Sequence, residues 1–94
     1  MVDVVIPVYI KDPDAVLDYP WDWTDWLAPG EIITASQFIV SAGLDLNSSS
    51  FSATTAIAWL AGGTQGTSYL VTNRITTSAA RTDDRSLTIR VKNR

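Results

Sequence analysis

Apolar and polar residues alternate with a period of two in three stretches of this chain, the repeat that sends successive side chains to opposite faces of a β-strand. The clearest is the last, where Leu87, Ile89 and Val91 alternate with Ser86, Thr88, Arg90 and Lys92. In another, Tyr69, Val71, Asn73 and Ile75 share a face opposite Thr72, Arg74 and Thr76. In the third, Phe51, Ala53, Thr55, Ile57 and Trp59 alternate with Ser52, Thr54, Ala56 and Ala58. The larger set there predicts core, and the smaller set predicts a face that is wet or closely packed. Parity thus predicts a common core of Leu87, Ile89, Val91, Ile57, Trp59, Tyr69 and Val71.

The connections fit this reading. Residues 62–66 (Gly-Gly-Thr-Gln-Gly) and 78–84 separate the three strands, and both lengths suit hairpins. Residues 31–40 and 44–46 predict further strands around an Ala42-Gly43 turn. Ahead of Gly30 lie all four prolines, three of the four tryptophans and most of the acids. Residues 1–17 predict an extended N-terminal arm and residues 18–94 a folded domain. Residues 14–17 could make one helical turn, but Pro13 and Pro20 flank it. With a strand from the leader the count reaches about six or seven, the range of a β-sandwich.

Composition narrows the function. A chain of 94 residues, 46% hydrophobic and 18% charged, suits one domain with its own core. Cysteine and histidine are both absent, so acid-base or nucleophilic work would fall to carboxylates, hydroxyls, Lys11 or Lys92. No Gly-x-Ser-x-Gly elbow is present either, and the expectation is a protein that is no enzyme, with no catalytic residue and no cofactor. Asp12, Asp14 and Asp18 lack the glycine turn and closing glutamate of a calcium loop; they read as a solvated acidic stretch, with no metal expected. A net charge of -3 disfavours nucleic acid. The apolar opening carries Asp3 and Pro7 without a basic flank, so neither a signal peptide nor a membrane anchor is expected.

Charge is distributed unevenly. Asp3, Asp12, Asp14, Asp18, Asp22, Asp25 and Glu31 face a single early base, Lys11; Arg74, Arg81, Arg85, Arg90, Lys92 and Arg94 face only Asp83 and Asp84 late in the chain. These groups either pair within the fold, or the acidic leader of one copy meets the basic last strand of a neighbour, which makes Arg90 and Lys92 candidate contacts. Within residues 19–27, Tyr19, Trp21 and Trp23 share one face of a possible edge strand, with Asp18, Pro20 and Asp22 on the wet face. The rings either cap the core or form a contact surface, with Trp21 and above all Trp26 as candidates. Val4, Ile6, Val8 and Tyr9 have β-propensity suited to adding a strand to a partner's edge, or to forming the domain's own first strand.

The stretch Lys11-Asp12-Pro13-Asp14-Ala15-Val16-Leu17-Asp18-Tyr19, followed by Asp22-Trp23-Thr24-Asp25-Trp26-Leu27 and Gly30-Glu31-Ile32-Ile33, resembles the opening of the phage fiber-tail adaptor proteins. Leu60-Ala61-Gly62-Gly63, Gly66-Thr67-Ser68-Tyr69 and Thr76-Thr77-Ser78 through Arg81-Thr82 to Arg85-Ser86 extend the likeness to about Lys92. The chain departs from that pattern at Ala80, where relatives often have glycine, and at Asn73, usually more apolar. The resemblance implies an immunoglobulin-like antiparallel β-sandwich and a structural role in the virion, in the tail or neck region, after assembly in the host cytoplasm. It implies other virion proteins as partners (a tail or neck ring, a fiber) together with copies of the chain itself in a symmetric assembly. The alternative is a capsid decoration or a host-surface domain, in which Trp21 and Trp26 would stack on sugar rings.

Overall fold

The computed structural model describes residues 8–92. Among them the chain forms seven strands and no helix: β1 (Val8–Lys11), β2 (Leu17–Asp22), β3 (Ile33–Val40), β4 (Leu44–Phe51), β5 (Thr55–Gly62), β6 (Ser68–Thr77) and β7 (Thr82–Val91). They make a four-stranded sheet in the order β1-β7-β6-β3 and a three-stranded sheet in the order β2-β5-β4. This is the immunoglobulin-like arrangement, in which the second, fifth and fourth strands form one sheet and the third, sixth and seventh the other. The expected sandwich is antiparallel except at one place: β1 runs parallel to β7, Val8 beside Thr88 and Lys11 beside Val91. Parallel neighbours need a long connection, and the whole domain between these strands supplies it.

The expected arm over residues 1–17 therefore meets the sheet early. Val8–Lys11 is a strand of the domain, while the arm residues Val4 and Ile6 lie outside the described residues. Lys11, at the end of β1, is wholly buried and donates 2.8 Å hydrogen bonds to the carbonyls of Asp12 and Gly62. Burial pushes its pKa down, against the pull of Asp12 and Asp14.

The core takes Tyr69, Val71, Ile75, Leu87, Ile89 and Val91 from the four-stranded sheet, in the parity expected. From the three-stranded sheet it takes the opposite parity from that expected for β5: Ala56, Ala58 and Leu60 are buried, Trp59 is 40% exposed and Ile57 only partly covered. The reason is cross-strand. Tyr19 is registered with Ala58 and Trp21 with Ala56, so the inner face of β5 must be small to leave room for the large rings of β2. Phe51 also differs: it ends β4, and a turn at Ser52 separates it from β5, with Ser52 N–H donating to the Thr55 carbonyl at 2.8 Å. The Ser52 hydroxyl takes the N–H of Thr55 at 3.3 Å, a side-chain turn with neither glycine nor proline to announce it.

Two polar groups fasten the sandwich internally. The Tyr69 hydroxyl accepts the Thr64 backbone N–H at 2.8 Å, tying the β5–β6 loop to the start of β6 in the manner of a tyrosine corner. Gly63 lets the loop pass there: its φ is +95° and a Cβ would lie 2.6 Å from Val91 Cγ2. Trp23, just after β2, donates its indole N–H to Asn73 Oδ1 at 2.9 Å, and Asn73 Nδ2 donates to Ser36 Oγ and the Gln37 carbonyl. Antibody domains bridge the corresponding second and sixth strands with a disulfide; this chain, without cysteine, joins them with an indole and an amide.

Candidate interaction surfaces

Period-two alternation leaves each sheet one face for the core and one for the outside, and both outer faces carry large apolar residues. On the four-stranded sheet the register sets Val8, Thr88 and Leu70 in one row and Ile10, Arg90 and Ser68 in the next, with Ile39 beside Thr72 on β3. Val8, Ile10, Ile39 and Leu70 are all exposed, Val8 by 59%. Arg90 stands among them, with Lys92 exposed just past the end of β7, while Arg74 is engaged by Asp84 through two hydrogen bonds of 2.8 and 3.0 Å. That pairing lowers the Asp84 pKa and raises that of Arg74.

On the three-stranded sheet the outer face centres on Trp59. Its cross-strand neighbours are Asp18 on β2 and Ser48 on β4, and Ile57 lies between Pro20 and Ser50. Asp45 follows, paired with Ala61. No lysine or arginine occurs on β2, β4 or β5, so this face is acidic.

The sheet edges are poor templates for another strand. Pro20 removes a donor from β2, and register shifts interrupt β3 between Ile33 and Ala35 and β4 between Leu46 and Ser48.

At one end of the sandwich the rings and bases form a stack. Trp23 and Trp26 meet edge to face with centroids 5.3 Å apart, Arg81 lies 4.0 Å over Trp26, and Arg85 lies 4.3 Å over Trp23. Glu31, buried beneath, accepts from Arg81, the Thr77 hydroxyl and the Ala28 N–H. The Arg81 and Thr77 hydrogen bonds, in that order, hold its pKa down at about 2. Arg81 is raised in turn, chiefly by its bond to Glu31. Acidic and basic ends of the chain thus do pair within the fold here.

The sequence-derived contact residues separate into groups. Val8 and Arg90 come together on one outer face, and Lys92 is exposed just past the end of β7. Tyr9 has inward parity, is 40% exposed, and packs its ring 5.6 Å from Tyr19. Trp21 is 3% exposed, its N–H donated to the Arg85 carbonyl at 3.2 Å and its ring edge-on to Phe38. It is a core residue, and offers neither a contact surface nor a face for sugar stacking. Trp26 is half-buried with Arg81 across its ring. Sequence reasoning does not single out Ile39, Leu70 or Trp59 as surface. The available signal is Leu70, a large apolar residue on the side of its strand that alternation assigns to solvent. Among the described residues no three carboxylates converge as a metal site.

No curated protein matches the chain. The family model described as podophage GP4 fiber-tail adaptor protein gp77 matches residues 11–90, so the chain belongs to that family of phage structural proteins.

Proposed function

We propose that this protein is a non-enzymatic virion component that docks on the tail or neck of the particle and presents a surface to a fiber or another virion protein. The observation that carries the reading is the outer face of the four-stranded sheet, where Val8, Ile10 and Leu70 stand exposed near Arg90, with Ile39 further along the same face. Scattered surface apolar residues are ordinary, but a cluster grouped across neighbouring strands and rimmed by polar groups marks a protein contact. Family membership supports the adaptor role and a place in the tail. Assembly would take place in the host cytoplasm, before the particle leaves the cell.

Deleting the gene and imaging the purified particles tests this. The expected result is intact heads and tails that lack fibers. Particles that keep their fibers while their heads become fragile would instead assign the protein to capsid decoration.

A further inference from the structure

The two outer faces of the sandwich differ in charge and share an apolar centre. On one, neither Arg90 nor Lys92, just past the end of β7, makes an ion pair among the described residues, since Arg74 is already held by Asp84 and Arg81 by Glu31. On the other, Asp18 and Asp45 flank Trp59 with no ion pair among the described residues and no base on any strand of that sheet. Within one molecule these groups cannot meet, because the two sheets and the core lie between them. Between two molecules they can. The geometry points to a second copy of the chain as the occupant: the Val8, Ile10, Leu70 and Arg90 face of one molecule lies on the Trp59 face of the next.

Three observations favour a copy over an unrelated partner. Each face supplies what the other lacks, free bases on one side and free acids on the other, and like faces brought together would set like charges opposite each other. Each also has an apolar centre of the kind that dominates interfaces, a tryptophan against a cluster of aliphatic side chains. The edges are blunted by Pro20 and two register shifts, so association along the strands is disfavoured. Because the contacting faces are different and lie on opposite sides, the interface is heterologous; successive copies build a ring if the rotation closes and a filament if it does not. The resemblance leaves open which surfaces of the copies would meet; these are the two faces.

Mixing two variants of the full chain tests the inference by sedimentation velocity. The wild-type protein should associate beyond a dimer as concentration rises, and less so as salt rises. Trp59→Ser removes the centre of one face and Arg90→Glu reverses the charge of the other; each should weaken association at least about thirtyfold, the scale of a hot-spot residue. Both side chains are exposed, so both variants should still unfold cooperatively. The mixture is decisive: the intact face of each variant fits the intact face of the other, so it should form a dimer and stop there. A wild-type protein that stays monomeric at every concentration overturns the inference, as does a Trp59→Ser variant that associates like the wild type. Fiber retention on particles carrying Trp59→Ser is read separately. A protein that proves monomeric in solution while the deletion strips particles of fibers leaves the adaptor role standing without the self-contact.

Discussion

Asn73 is polar at a core position, and its surroundings show why an apolar residue would not serve. Its amide accepts from Trp23 and donates to Ser36 and Gln37, so that an indole N–H, a hydroxyl and a carbonyl are satisfied by one side chain. Leaving a buried donor unpaired costs about 1–3 kcal/mol, more than a neutral hydrogen bond returns. Tyr69 works on the same principle at the other end of β6, with its ring against Gly43 and Gly63 and its hydroxyl on Thr64. Hydrogen bonding to Thr64 lowers the phenol pKa, the mark of an acceptor held in place. Tyr69→Phe keeps the ring and loses only the bond, and should lower the thermal midpoint by about 4–8 °C, the shift for one hydrogen bond in a domain of this size. Calorimetry checks this, and self-association should be unchanged. Ala80 occupies the left-handed region at φ 60° in the β6–β7 turn, where glycine is unstrained. Ala80→Gly should therefore stabilise the protein by up to about 1 kcal/mol in urea titrations, the relieved strain being partly offset by the greater freedom of glycine when unfolded.

At the scale of strands, legibility depended on how much one face differed from the other. In the second half of β7, from Ser86 to Val91, the inner residues are Leu, Ile and Val and the outer ones hydroxyls and Arg90, so the order of residues alone makes the parity plain. In β5 one face carries Ile57 and Trp59 and the other Ala56 and Ala58, and size alone points the wrong way. Only the partner strand decides: β2 brings Tyr19 and Trp21 to the interior, and alanines are what fits beside them. The same blindness hid the candidate site, since Trp59 became surface only once β2 and β5 were registered. Parity is tested by a pair of equal deletions. Ile89→Ala, at a wholly buried side chain, should cost about 2–5 kcal/mol. Ile57→Ala, on the outer face, should cost less than about 1.5 kcal/mol in the same urea titrations. Equal losses would mean that Ile57, and with it the larger face of β5, is turned to the core.

Across the whole molecule, the uneven charge seen along the chain resolves into two destinations. Part is paired inside the fold, where Glu31 and Arg81 join the connection between β2 and β3 to the β6–β7 hairpin and Arg81 lies over Trp26. Other groups stay exposed on opposite faces, Arg90 on one and Asp18 and Asp45 on the other. Acid separates the two. Glu31 has its pKa lowered from 4.5 to about 2 in the folded protein, so between these values the unfolded chain binds a proton that the folded chain does not. Its contribution to stability is complete above about pH 4.5, falls as the pH drops through that window, and is gone below about pH 2. Asp22 and Asp84 are lowered as well, and their share runs in the same direction. Glu31→Gln cannot titrate. Its midpoint should be lower than that of the wild type at neutral pH, because an amide satisfies Arg81 poorly, and it should fall less steeply between pH 5 and pH 2. Thermal unfolding of both proteins across that range measures the difference. Parallel curves would mean that the Arg81 and Thr77 contacts to Glu31 do not distinguish its charged from its neutral form.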